Sequence, residues 1–66
     1  MTPTRLRQLR RRLSAALKCK RLLSQEKLGV MISTSGRTVR RWESGRSTIP
    51  DGVEQEILRL IEDAEA

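Results

Sequence analysis

Apolar residues recur along this chain in four groups, each with the spacing of one helix face. The first holds Leu6, Leu9, Leu13, Ala16 and Leu17, at steps of 3, 4, 3 and 1. Such steps place side chains along one stripe of a 3.6-residue helix. Arg5, Arg7, Arg10, Arg11, Arg12 and Lys18 fall mostly on its other faces. Pro3 suits a first helical turn and Thr2 or Thr4 can cap it, so the pattern predicts a helix over residues 4–21. Leu22 and Leu23 lead to Ser24, a good N-cap, and Glu26 places a carboxylate in the first turn of a second helix over 25–32. Leu28 and Ile32 are its inward pair at i and i+4, with Val30 or Met31 at the edge of the core. After the break at Ser33-Thr34-Ser35, Thr34 or Ser35 caps a third helix over 35–44, with Val39 and Trp42 inward, Thr38 partly so, and Gly45 as the left-handed residue that ends it. Pro50 then Asp51 and Glu54 make a capping-box-like start for a fourth helix over 51–63. Its Val53, Ile57, Leu60, Ile61 and Ala64 recur at 4, 3, 1 and 3, with Leu58 off the stripe. Nothing alternates as a strand does. The expected fold is all-α: a compact bundle of four to five short helices around a leucine-rich core with one tryptophan.

Composition narrows the chemistry. Sixty-six residues suit a single domain near the lower size limit for folding without staples. Cys19 is the only cysteine and histidine is absent, which leaves no internal disulfide and no structural zinc site. No apolar run approaches the roughly 20 residues that span a bilayer, and the basic N-terminus lacks the apolar core of a secretion signal. The expectation is a soluble, cytoplasmic protein. Without histidine, with its one thiol in a predicted helix and no carboxylate pair in a plausible cleft, the chain is not expected to be an enzyme, and no cofactor or metal is expected.

Charge is uneven along the chain. Residues 1–46 carry thirteen Lys/Arg against two acids, a net +11, whereas residues 47–66 carry one against six, a net −5. That asymmetry favours a polyanionic partner on one side. Two short helices joined by a tight turn, the second basic, describe a helix-turn-helix that reads DNA. Trp42 is spaced from Val39 as a core residue rather than as a platform for stacked bases.

At Leu28, Gly29, Ile32, Val39, Trp42, Glu43 and Gly45 the sequence resembles the lambda repressor/Cro-like (XRE-type) helix-turn-helix family, over residues 13–61. Leu23-Ser24-Gln25-Glu26 looks like the family's entry into its second helix. Residues 36–45 followed by Ile49-Pro50 are most similar to small phage or mobile-element repressors, such as the anti-CRISPR-associated autorepressors. The chain departs from the family at Ser33, where glycine is usual, and at Thr34, where an apolar residue is usual. A non-glycine residue with positive φ is mildly costly there.

The resemblance implies a mode of action. The third helix would lie in the major groove, with Ser35, Gly36, Arg37, Arg40 and Arg41 at the base-reading positions. Arg37 and Arg41, one turn apart, could each fork onto guanine O6 and N7, a pairing worth about 1–3 kcal/mol of discrimination. Arg40 would take a phosphate or a base at the edge. Gly36 would either allow close approach to the DNA or serve as a small residue near the cap. Ser24, Gln25, Thr38, Ser44, Arg46, Ser47 and Thr48 match phosphate-contacting positions. Lys18 and Glu43 match two positions that pair in some members. The partners implied are double-stranded DNA with an inverted repeat and a second copy of the chain, with Leu58 and Ile61 as the expected dimer surface. The acidic C-terminal end would point away from DNA. No small-molecule effector is expected. The function implied is repression of the chain's own operon, which the narrower resemblance would make an anti-CRISPR operon. Two other classes fit parts of the sequence: an RNA-binding or non-specific nucleic-acid protein using residues 5–12 as a basic arm, and an antitoxin-type interaction module.

Overall fold

Thr2 opens the first helix by accepting the Arg5 amide hydrogen bond at 3.1 Å, with Pro3 in the first turn. In the computed structural model, which describes all residues Met1–Ala66, α1 spans Pro3–Ala16, α2 Gln25–Met31, α3 Gly36–Glu43 and α4 Asp51–Glu65. There are no strands. The expected all-α bundle is therefore the observed one, with four helices. Ser24 caps α2 through the Lys27 amide at 3.0 Å, and Ser35 caps α3 through the Thr38 amide at 3.2 Å. Each cap satisfies one amide that the helix itself leaves unpaired. Pro50 is the N-cap of α4 and has no side-chain cap bond, so Asp51 is a first-turn acid and the expected capping box does not form.

Helix α1 stops at Ala16, well short of the predicted residue 21. Leu17 continues the spacing of the stripe but is 40% exposed, and Leu22 is 50% exposed. The connector folds back instead. Buried Ser14 accepts the Leu23 amide hydrogen bond at 2.9 Å and donates to the Arg21 carbonyl at 3.2 Å. Cys19 consequently lies exposed in the connector, not in a helix. Val30 and Met31 are both exposed, so neither covers the core edge. At the other end α4 runs two residues past its predicted limit of 63.

The core has twelve apolar residues: Leu6, Leu9 and Leu13 from α1, Leu23, Leu28 and Ile32 around α2, Val39 and Trp42 from α3, then Ile49, Val53, Ile57 and Ile61. Ala16, Leu58 and Leu60 pack at its margin. α1 packs on α4 and on α3, while α2 packs on α3. Two glycines permit that last contact. A Cβ on Gly29 would sit 2.5 Å from the Ser35 carbonyl carbon, and one on Gly36 would sit 2.5 Å from Glu26 Cγ and 2.7 Å from Glu26 Cα. Real side chains do not approach backbone so closely, so α2 and the start of α3 cross through these glycines. No helix is long and apolar enough to cross a membrane.

Candidate functional site

The two faces of α3 have opposite chemistry. Val39 and Trp42 are buried in the core, while Arg37, Arg40 and Arg41 are exposed. Beyond the C-cap Ser44, Gly45 at φ +78 turns the chain so that Arg46 joins them. Arg37, Arg40, Arg41 and Arg46 line one shallow depression by themselves, and Ser44 lines its continuation with three of them. The molecule's two salt bridges lie elsewhere, Arg5 with Glu54 and Arg10 with Glu43. Four guanidinium groups without a carboxylate partner make a focused positive field matched to phosphate and to base acceptors.

That surface is held from behind by Glu43, which is 5% exposed. Its carboxylate accepts from Arg10 Nε at 2.9 Å and Arg10 Nη2 at 3.1 Å, a two-pronged charge-assisted pair. Arg10 Nη1 donates to the Leu23 carbonyl at 2.7 Å, and Arg7 Nη2 donates to the Glu43 backbone carbonyl at 2.7 Å. Gln25 Nε2 donates to Glu43 Oε1 at 3.1 Å, while Arg40 Nε donates to Gln25 Oε1 at 3.4 Å. One buried acid thus ties α1, the start of α2 and the end of α3 together. No buried side-chain nitrogen or oxygen is left without a partner.

Against the sequence expectations, Arg37, Arg40, Arg41 and Arg46 come together, and Ser44, which donates to the Arg41 carbonyl at 3.0 Å, lies beside them. Ser35 is exposed at the start of α3, bonded to half-buried Thr38 through both its amide and its hydroxyl. Gly36 is buried at the start of α3 against Glu26, where any side chain would meet the Glu26 backbone. Ser24 is exposed at its cap; Gln25 is half-buried, its amide bonded to Glu43 and Arg40. Ser47 and Thr48 line a separate hollow with Arg46, Met1 and Pro3.

Two further expectations are corrected. Lys18 does not meet Glu43, because α1 has already ended and Lys18 is exposed in the connector; Arg10 occupies that place. Ile61 is 2% exposed in the monomer's own core and Leu58 is half-buried at its margin, so Ile61 has no side-chain surface to offer a partner. Arg7 and Arg10 were not singled out from the sequence as contacts of α3. The available signal was a glutamate at a core-adjacent position, which needs a cation when buried. No group of three His, Cys, Asp or Glu is placed to hold a metal ion. No protein-family model, curated protein or solved structure matches the chain.

Proposed function

We propose that this chain is a helix-turn-helix domain of the lambda repressor/Cro-like type that binds double-stranded DNA, with α3 in the major groove. It acts as a homodimer on an inverted repeat and represses the operon that encodes it, in the cytoplasm, as a regulator of a phage or mobile element. The observation that carries this reading is the all-arginine depression formed by Arg37, Arg40, Arg41 and Arg46 on the outer face of α3. Arg37 and Arg41 read bases, Arg40 and Arg46 hold the edge and the backbone, and the amide end of α2 with Ser24 approaches a phosphate. One such module reads only a few base pairs, and a two-fold pair doubles the site with half-sites about 34–36 Å apart or a multiple of that.

The basic-arm reading has less to use. Arg5 is bonded to Glu54, Arg7 to the Glu43 carbonyl and Arg10 to the Glu43 carboxylate, leaving Arg11 and Arg12 exposed on α1. Leu6 and Leu9 are core, so removing residues 1–12 would unfold the domain. Point substitutions separate the two readings. A mobility shift with the DNA upstream of the chain's own gene should show wild type binding that probe well above one with its inverted repeat scrambled. Arg37→Ala should abolish the preference, while Arg11→Ala with Arg12→Ala should keep it. Equal affinity of the wild type for both probes would refute the proposal.

A further inference from the structure

The outer face of α2 carries an unusual pattern. Leu28, Gly29 and the C-cap Ile32 are buried, whereas Glu26, Lys27, Val30 and Met31 are exposed. Val30 is 77% exposed and Met31 36%; with Leu22 they are three of the five exposed large apolar side chains in the molecule. Val30 and Met31 are neighbours. Glu26, Lys27, Val30 and Met31 line one shallow concavity by themselves, and Lys27 also lines the adjoining one with Leu22. Scattered apolar side chains on a surface need no explanation, but a group of them flanked by charges marks a contact face. A β-branched residue in water also does little for a seven-residue helix.

The order of residues says what kind of partner fits. Glu26 and Val30 form one i,i+4 column and Lys27 and Met31 a second, about 100° around the helix. When two copies meet about a two-fold axis parallel to α2, the first column of one faces the second column of the other. Glu26 then opposes the partner's Lys27 and Val30 opposes the partner's Met31, and symmetry repeats both pairs. An antiparallel meeting would instead set each column against itself reversed, with Glu26 facing Val30. The pattern is self-complementary in the parallel sense only.

We infer that a second copy of this chain docks on the Glu26-Lys27-Val30-Met31 face of α2, so that α2 and not α4 holds the homodimer. α4 offers no equivalent: Gln55, Glu56, Arg59, Glu62 and Asp63 are exposed on it, Ile61 is in the core, and Leu58 and Leu60 are half-buried against that core rather than fully exposed. The α2 face shares no residue with the arginine depression, so pairing leaves Arg37, Arg40, Arg41 and Arg46 open. The inference rests on the homodimeric reading above and names its contact surface.

Sedimentation equilibrium of the free protein, without DNA, tests it. Glu26→Lys leaves only cations at the rim of the contact and Lys27→Glu only carboxylates. Each variant should self-associate roughly tenfold or more weakly than wild type. Mixed in equal amounts, the two should form a heterodimer at least as tight as the wild-type homodimer. That rescue also shows that both variants are folded, and circular dichroism melts of each provide a second check. Val30→Asp should weaken association with every partner. Arg37→Ala should leave association unchanged while losing binding to the upstream duplex, so failure of the DNA reading and failure of the docking face are separately visible. A wild type that stays monomeric at all concentrations, single variants that associate like wild type, or a mixture no tighter than its components would each overturn the inference.

Discussion

At the scale of single residues, Glu43 is the position whose loss reaches furthest. Its carboxylate is nearly sealed and meets an Arg10 side chain that is only 13% exposed. Removing one member of a buried pair leaves the other desolvated and uncompensated. Arg10→Met should therefore lower unfolding free energy in urea by about 2–4 kcal/mol. Lys18→Ala, at an exposed connector position, should change it by less than about 0.5 kcal/mol. The pair was not legible in the sequence because its members stand 33 residues apart and meet only through packing of α1 on α3. Arg37 and Arg41 were legible, because one helical turn separates them and Val39 and Trp42 fix which way that helix faces. Gly36 was half legible: glycine at a helix start has several uses, and only the approach of Glu26 shows that the crossing itself needs one. Gly36→Ala must push a methyl into the Glu26 backbone, and strain of that kind costs about 1–3 kcal/mol. A melt showing no loss for Gly36→Ala would contradict the crossing described for α2 and α3.

At the scale of elements, three of the four helices end in the same way. In α1 the amides of Lys18 and Cys19 bond to the carbonyls of Ala15 and Ser14; in α2 those of Ser33 and Thr34 bond to Val30 and Gly29; in α3 those of Gly45 and Arg46 bond to Trp42 and Arg41. Each is a Schellman arrangement whose first residue past the cap is left-handed: Lys18 at φ 56, Ser33 at φ 60 and Gly45 at φ 78. Only the last is glycine. This explains why the end of α3 was legible and the end of α1 was not, since Lys18 gives no stop signal and Leu17 and Leu22 prolong the apolar spacing. At Ser33, where a non-glycine residue with positive φ is mildly costly, the backbone is left-handed as it is at the family's usual glycine position. A left-handed non-glycine residue costs about 1–2 kcal/mol, partly offset by the greater freedom glycine has when unfolded. Lys18→Gly and Ser33→Gly should each stabilise the fold by roughly 0.5–1 kcal/mol, read as a higher urea midpoint at unchanged m-value.

At the scale of the whole molecule, the fold turns an uneven charge sequence into an oriented one. All six acids of residues 47–66 are carried by α4, which packs on α1, whereas α3 is flanked by α2 and α1. The helix that carries most of the acid and the helix that carries the open arginines both pack on α1 but hardly on each other, which limits self-neutralisation and favours one approach to a polyanion. The consequence is measurable in salt. With about six phosphates neutralised per subunit, log affinity against log salt should fall with a slope near −5. The arginines should then divide by role. Arg46→Ala should weaken binding to all duplexes alike and reduce the steepness of that slope by about 1. Arg37→Ala should cost about 1–3 kcal/mol on the preferred repeat while leaving scrambled DNA almost unaffected. Titrations of both variants on both probes across a salt series separate a base contact from a phosphate contact. A flat salt response in the wild type would remove the electrostatic basis of the proposed interface.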